Sequence, residues 1–142
     1  MKFTIIITSY NKEKYLKKCI QSCLNQNKND YEIILCDNFS DDGTRIILTE
    51  FENKIKTIKK KRVSKHGPVN QIDLIKEGLN ISKGDYICLL DGDDYFHSNK
   101  LKTLERYLNI NKNLNMIFDL PEIKKRDVLK QLKIKKKYQK NI

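Results

Sequence analysis

The sequence predicts an α/β protein in which a mostly parallel sheet lies between two layers of helices. Two observations support this fold class. Short β-branched runs alternate with segments whose apolar residues recur at helical spacing. Polar loops directly follow three of these runs, at residues 8–11, 37–42 and 91–94. Because ligands bind at the carboxyl ends of parallel strands, we expect the three loops to meet at one site.

The elements follow from this alternation. Strands are predicted at residues 3–8, 31–37, 55–63, 86–90 and 114–118. Helices are predicted at residues 12–26, at 45–51, from Pro68 onward, and at 98–109. In the third helix, Ile72, Ile75 and Leu79 recur at helical spacing and fall on one face. In the loop after the second strand, Ser40 is expected to shape the loop and Asp42 to cap the next helix.

Length and composition predict one globular domain. The chain has 142 residues, of which 39% are hydrophobic and 33% charged. No apolar run approaches the ~20 residues of a membrane span, and the N-terminus lacks the features of a signal peptide, so a cytoplasmic protein is expected. The four cysteines include no CxxC pair, which argues against structural zinc and favours small buried residues.

The formal net charge of +11 is concentrated at the C-terminus. Residues 122–142 hold nine lysine and arginine residues against two acidic ones. We therefore divide the chain into a domain of residues 1–120 and a basic tail of residues 121–142. The tail carries no groove-reading motif, which argues against nucleic acid as a partner. A peripheral contact with the anionic inner face of a membrane and a solubilising end are the two alternatives for it.

The segment YICLLDGDDYF places three carboxylates, Asp91, Asp93 and Asp94, directly after a strand. We call residues 91–94 the acidic turn. Like charges repel one another and lose hydration when packed together, so they need water, a cation or a ligand. A turn without function is the alternative, because Asp-Gly is common in turns.

Several other site classes are excluded by their motifs. The chain has neither GxGxxG after the first strand nor GxxxxGK[ST]. An EF-hand loop that starts at Asp91 would need glycine at position 96 and glutamate at position 102, but the chain has Phe96 and Lys102 there. An aspartyl phosphatase or receiver domain would need carboxylates where the first strand ends in Thr8 and Ser9.

Three segments in this order resemble the N-terminal, nucleotide-sugar-binding half of family 2 glycosyltransferases, which have the GT-A fold. FTIIITSYNKEKYLKKCIQSCLNQ resembles the opening strand, turn and helix of that family. The segment YEIILCDNFSDDGT resembles the second strand of the family and the loop after it. The segment ISKGDYICLLDGDDYF resembles the part of the family that carries the DxD motif. The resemblance covers residues 3–110. It implies a hexosyl-transferring enzyme that moves a sugar from a nucleoside-diphosphate donor to a hydroxyl of a glycan or lipid-linked acceptor. The implied reaction is metal-assisted and inverting, in cell-surface polysaccharide or glycolipid synthesis.

The resemblance also implies roles for site residues. A divalent cation, Mn²⁺ or Mg²⁺, would be held by Asp93, with Asp94 as the alternative ligand and Asp91 contacting the ribose or a metal-bound water. The nucleoside pocket would be lined by the remaining candidates, Thr8, Tyr10, Asp37 and Asn38. Tyr10 would stack on the base and Asp37 would accept a hydrogen bond from base or ribose. A half-buried structural tyrosine is the alternative for Tyr10.

The chain departs from the family pattern in three places. Asn38 stands where the family has a second aspartate, and GPVNQIDLIKEG contains Asn70 and Gln71 but no arginine. The family's general base lies in its second half, and neither Glu122 nor Asp127 lies in a recognisable motif, so we assign no catalytic base. We therefore expect a donor-binding half, as a truncated gene product or a fragment. The alternatives are a non-catalytic nucleotide-sugar-binding module and a basic protein of nucleic acid or membrane surfaces.

Overall fold

The computed structural model describes residues 2–118 and contains four strands and four helices in strict alternation. They are β1 (Phe3–Ser9), α1 (Glu13–Leu24), β2 (Tyr31–Asp37), α2 (Thr44–Phe51), β3 (Lys56–Lys59), α3 (Gly67–Ile81), β4 (Tyr86–Asp91) and α4 (Lys100–Ile110). All eight lie within the unit Met1–Lys112, and a second unit begins at Asn113. The alternation confirms the predicted α/β class. The predicted boundary at residue 120 and the basic tail lie outside the described residues.

The sheet is parallel and has the strand order β3-β2-β1-β4. β1 is central and buried along its whole length because its run of isoleucines is covered on both faces. The register pairs Thr8 of β1 with Cys36 of β2 and with Asp91 of β4. The three strands therefore end at the same level, and the loops after them meet at one edge, as predicted.

The helices cover both faces of the sheet. The chain moves outward from β1 to β3 and then crosses back to β4, so right-handed connections place α1 and α2 on one face and α3 on the other. α1 buries a stripe of four residues: Leu16, Cys19, Ile20 and Cys23. On the opposite face, Leu74 of α3 packs with Ile6 and Ile34. All four cysteines are free and buried, which confirms their prediction as small core residues.

The apolar face of α3 that the sequence pattern indicates is not the face that α3 buries. The residues that α3 buries are Asn70, Leu74 and Gly78, whereas Ile72 and Leu79 are exposed. Gly78 determines this orientation, since a Cβ atom there would lie only 2.8 Å from Cγ2 of Ile6. The helix therefore approaches the sheet along its smallest side chain, and the larger apolar residues lie to the side.

The predicted strand at residues 114–118 is also absent, because these residues adopt no regular structure. Within the described residues, β4 is consequently an edge strand that pairs with β1 alone. Ile87 and Leu89 of β4, on the α3 face, are 37% and 54% exposed. A run of apolar residues shows which side chains avoid water but not whether a partner strand is within reach.

Among residues 2–118, no helix is long and apolar enough to cross a membrane.

Candidate functional site

The acidic turn lies against the end of β1. The amide of Gly92 donates to the carbonyl of Thr8 at 2.9 Å, and the amide of Asp94 donates to the carbonyl of Asp91 at 2.9 Å. A Cβ atom at residue 92 would lie 3.1 Å from the Thr8 carbonyl oxygen. It would also lie 3.4 Å from side-chain atoms of Leu16 and Lys12. Glycine therefore lets the turn lie tightly on β1, and this position presents all three carboxylates at the carboxyl edge of the sheet.

Asp91 is held by side chains from two other elements. Its Oδ1 atom accepts hydrogen bonds from the Thr8 hydroxyl at 3.1 Å and from the Gln71 side-chain amide. The predicted site residues Thr8 and Asp91 are thus in direct contact. Sequence reasoning missed Gln71, although the residue lies in the stretch that was noted for lacking an arginine. Its only signal was a polar side chain in the first turns of a helix that follows a strand-end loop.

Asp93 and Asp94 differ in their surroundings. Asp93 forms an ion pair with the ammonium group of Lys12, a partner that the sequence did not indicate. Burial raises the pKa of Asp94, and the negative charges of Asp93 and Asp91 raise it further, against a smaller lowering by Lys12. The acidic turn therefore retains repulsion that one ammonium group does not remove, and such a cluster attracts cations.

Asp37 is fully buried, and its carboxylate holds the loop that follows it. Its two oxygens accept hydrogen bonds from the backbone amide of Ser40 at 2.9 Å and from the Ser40 hydroxyl at 2.5 Å. Arg45 adds a third constraint by donating its Nε–H to the Ser40 carbonyl at 2.6 Å. The loop-shaping role of Ser40 is confirmed. That Asp37 accepts a hydrogen bond from a base or ribose stays a prediction.

Asp42 joins the starts of two helices. Gly43, and not Asp42, occupies the N-cap position of α2. The Asp42 carboxylate nevertheless accepts from the Thr44 amide at 3.0 Å and from the Glu13 amide at 3.1 Å. Glu13 in turn accepts from the amide of Gly43 at 2.7 Å. One carboxylate therefore satisfies the first N–H groups of both α1 and α2, which ties their N-termini together beside the site.

Tyr10 and Asn38 lie on the β3 side of the edge. Tyr10 is 36% exposed, and the guanidinium of Arg62 lies 4.4 Å from the centre of its ring. Asn38 is buried and donates its side-chain amide to the Lys60 carbonyl at 3.2 Å. The loop after β3 therefore contributes to the edge, a contribution that sequence reasoning missed because the lysine-rich run obscured where β3 ends.

Asn70 holds that loop in place from the start of α3. Its side-chain oxygen accepts from the amides of Val63 at 2.9 Å and Ser64 at 3.0 Å. Its amide group donates to the carbonyls of Ser64 at 2.8 Å and His66 at 3.1 Å. Because Asn70 is buried and makes four bonds, the loop that carries Arg62 is preorganised.

Two loop residues at this edge have left-handed backbone conformations. Asn11 has φ 52° and Phe39 has φ 54°, and within residues 2–118 they are the non-glycine residues with positive φ. Asparagine adopts this conformation readily, whereas a bulky aromatic residue rarely does. The strain at Phe39 is held by the hydrogen bonds around Ser40 that follow it.

The acidic turn is the candidate cation site. Among the described residues, no group of three His, Cys, Asp or Glu side chains is arranged to hold a metal ion. Mg²⁺ and similar cations are usually bound through one or two carboxylates together with water and substrate phosphates. The donor set of Asp91, Asp93 and Asp94 fits that mode, in which the ligand supplies the missing oxygens.

A parallel sheet with polar loops, an acidic turn and an exposed tyrosine at its carboxyl edge defines an α/β protein with a candidate ligand site at the strand ends. Comparison with known proteins identifies the class further. The model of glycosyl transferase family 2 matches residues 4–141. The chain therefore belongs to the glycosyltransferases of family 2.

Individual relatives agree with this assignment. The poly(ribitol-phosphate) beta-glucosyltransferase of Bacillus spizizenii is 35% identical over 129 residues, which are 87% of this chain and 19% of the relative. The structure of S. aureus TarS 1-349 in complex with UDP superposes with a TM-score of 0.64 at 25% identity, over 79% of this chain and 33% of that one. This chain therefore spans about a fifth of the first protein and about a third of the second.

A more distant structure supports the fold alone. The mannosyltransferase PcManGT from Pyrobaculum calidifontis, in complex with GDP-Man and Mn²⁺, has a TM-score of 0.65 at 16% identity. The superposed region covers 75% of this chain and 32% of the mannosyltransferase. These likenesses confirm the predicted GT-A fold.

Proposed function

We propose that the chain binds a nucleoside-diphosphate sugar at the carboxyl edge of its sheet, as the donor-binding part of a glycosyltransferase. The observation that carries this proposal is the register of β1 and β4, which brings Thr8 into contact with Asp91 beside the loop that carries Tyr10. The TarS fragment, which was solved with UDP, supports the donor class. The acceptor is proposed to be a hydroxyl of a cell-surface glycan or lipid-linked glycan, as the poly(ribitol-phosphate) relative suggests.

The nucleoside is proposed to lie across the loops after β1 and β2. Tyr10 would stack on the base with its exposed ring, since base stacking on aromatic side chains tolerates any base. Asn38 and Asp37 would define the polar side of this pocket, and Thr8 would orient Asp91. Asp91 then has one oxygen engaged by Thr8 and Gln71, which fixes the direction in which the carboxylate faces the ribose.

A divalent cation, Mn²⁺ or Mg²⁺, is proposed to bind at Asp93, with Asp91 and Asp94 beside it. Such a cation stabilises the negative charge that develops on a diphosphate leaving group. The role of the chain is to gather carboxylates where the diphosphate would lie. An inverting transfer further needs a general base, and we assign none to the described residues.

The location of the protein is part of the proposal. Four free, buried cysteines suit a reducing compartment, so we place the chain in the cytoplasm. The basic residues 122–142 would then contact the anionic inner face of the membrane, close to a lipid-linked acceptor.

Thermal unfolding with the diphosphates of uridine, guanosine, cytidine and thymidine, each with and without Mn²⁺, tests donor binding. A ligand at 100 times its dissociation constant adds about 2.7 kcal/mol of stability. We expect one of the nucleotides to raise the melting temperature, and most of the increase to need the metal. If none of the four raises it with Mn²⁺ present, the proposal is wrong.

The Asp93→Asn variant tests the metal assignment. The amide keeps one oxygen but loses the charge that attracts the cation, so metal-dependent nucleotide affinity should fall about tenfold or more. Asp42→Asn is the matched control, because Asp42 lies at the same edge but is engaged by two backbone amides. Calorimetric titration compares the two variants, and equal losses would contradict the assignment.

A further inference from the structure

Lys12 reaches the acidic turn from a rigid backbone position. Its backbone amide donates to the Thr44 hydroxyl at 3.0 Å, so the residue is fixed between the end of β1 and the start of α2. From there its ammonium group forms the ion pair with Oδ2 of Asp93. The two side chains are 32% and 42% exposed, so the pair lies at the surface of the site where a small ion has access.

The aliphatic part of Lys12 follows a path that Gly92 leaves open. A Cβ atom at residue 92 would lie 3.4 Å from Cγ of Lys12. The lysine stem therefore crosses directly over the acidic turn. The absence of a side chain at Gly92 therefore leaves room for Lys12 to reach Asp93.

The helix that follows does not account for a positive charge at this position. Lys12 is the N-cap residue of α1, and its side chain makes no capping hydrogen bond. The N-terminal end of a helix carries partial positive charge and disfavours cations. The contact that the structure shows for the ammonium group is with Asp93 of the acidic turn.

We propose that Lys12 is a built-in counter-ion of the acidic turn, which holds Asp93 in the metal-free protein and is displaced when a divalent cation binds there. This inference rests on the proposed function, because it assumes that the cation binds at Asp93. It adds that metal alone must compete with an attached ammonium group. A nucleoside diphosphate supplies further oxygen ligands and an anionic partner for the displaced lysine. Metal and nucleotide should consequently strengthen each other's binding.

The Lys12→Met variant tests the competition. Methionine keeps much of the apolar stem and loses the charge, so the affinity for Mn²⁺ alone should rise. Exposed ion pairs contribute little, so an increase of at most about fivefold is expected. Free Mn²⁺ is measured by electron paramagnetic resonance while the full chain is titrated. Lys12→Arg, which retains the charge, should keep the affinity of the unaltered chain.

Lys17→Met is the matched control. Lys17 lies in α1, the helix that Lys12 precedes, and forms an exposed ion pair with Glu50 at 2.7 Å instead of with the acidic turn. Removing its charge should leave Mn²⁺ affinity unchanged. A similar gain in both methionine variants would mean that general charge, and not the contact with Asp93, controls metal binding, and the proposal would be overturned.

A second measurement separates this inference from the proposed function. UDP should increase Mn²⁺ affinity more in the unaltered chain than in Lys12→Met, since only the unaltered chain has an ammonium group to displace. If UDP stabilises the unaltered chain but Lys12→Met binds Mn²⁺ no more tightly, the role of Lys12 fails and donor binding stands. If Lys12→Met gains Mn²⁺ affinity while none of the four nucleotides binds, the proposed function fails and the competition stands. Absence of Mn²⁺ binding in every variant overturns the counter-ion role.

Discussion

The two ends of the parallel sheet use carboxylates in opposite ways. At the amino end, the Glu32 side chain is only 12% exposed and accepts three hydrogen bonds: from the Thr4 hydroxyl, the Lys83 amide and the Lys56 ammonium. Burial would raise the pKa of Glu32, but these hydrogen bonds outweigh it and lower the pKa to about 2. A carboxylate surrounded by donors is a structural element that stabilises the fold.

At the carboxyl end, three carboxylates share one ammonium group, and the pKa of Asp94 is raised by burial and by its two acidic neighbours. The strained Phe39 lies at the same end. Unfavourable local energies of this kind persist where a site is prepared for a ligand. Residue type alone therefore does not show the environment of a carboxylate. Glu32 accepts three hydrogen bonds, whereas burial and the acidic neighbours of Asp94 raise its pKa.

The largest effect on stability is expected from Gly84→Ala at the amino end. A Cβ atom there would lie 2.5 Å from the Thr4 amide nitrogen and 2.7 Å from the Phe3 carbonyl carbon, so backbone must move. We expect a loss of about 3 kcal/mol in the free energy of unfolding, measured in urea. In Gly92→Ala at the carboxyl end, the new Cβ atom would lie 3.1 Å from its nearest neighbour, the Thr8 carbonyl oxygen. This variant should lose about 1 kcal/mol of unfolding free energy. Equal costs would remove the contrast between the two ends.

Glu32→Gln is expected to have the next largest effect. The amide keeps the size of the side chain but loses the charge and directs an NH₂ group toward donors. We expect a loss of about 2 kcal/mol at neutral pH, because hydrogen bonds to charged groups contribute more than neutral ones. Nucleotide and Mn²⁺ binding should be unchanged, since Glu32 lies at the opposite end of the sheet. A variant as stable as the original chain would contradict the structural role.

The pH dependence of unfolding sharpens the same point. The pKa of Glu32 is about 2 in the folded chain, below its ordinary value of 4.5. Its contribution is therefore complete above pH 4.5 and is lost as the pH falls toward 2. The stability difference between the original chain and Glu32→Gln should shrink over this interval. A difference that stays constant down to pH 2 would show that ionisation of Glu32 is not its source.

The smallest effect, of opposite sign, is expected from Asp94→Asn. The raised pKa of Asp94 means that the folded chain disfavours its ionised form, so this group lowers stability as the pH rises. Because the residue is only partly buried and is screened by solvent, we expect a gain below about 1 kcal/mol at neutral pH. Urea unfolding in low salt measures it, and high salt should reduce the gain. A clear loss of stability would show that Asp94 has donors like those of Glu32.

Much of the fold could be predicted because it depends on local patterns. The alternation of β-branched runs with helical periodicity predicted the four strands and four helices of the described residues. The order of parallel elements predicted that Thr8 and the acidic turn would meet. Predictions were wrong where long-range packing decided the outcome, as at residues 114–118, which have no partner strand in the described sheet.

The α/β class, the position of the acidic turn and its resemblance to a DxD motif follow from the amino-acid sequence, since these depend on neighbouring residues. The tertiary structure sets which partners the carboxylates have. Gln71 contacts Asp91 across 20 positions, and Lys12 contacts Asp93 across 81. It also decided that Gly78, and not the isoleucines of α3, faces Ile6. Such contacts depend on how whole elements approach one another, and a small side chain that allows a close approach carries no periodic signal.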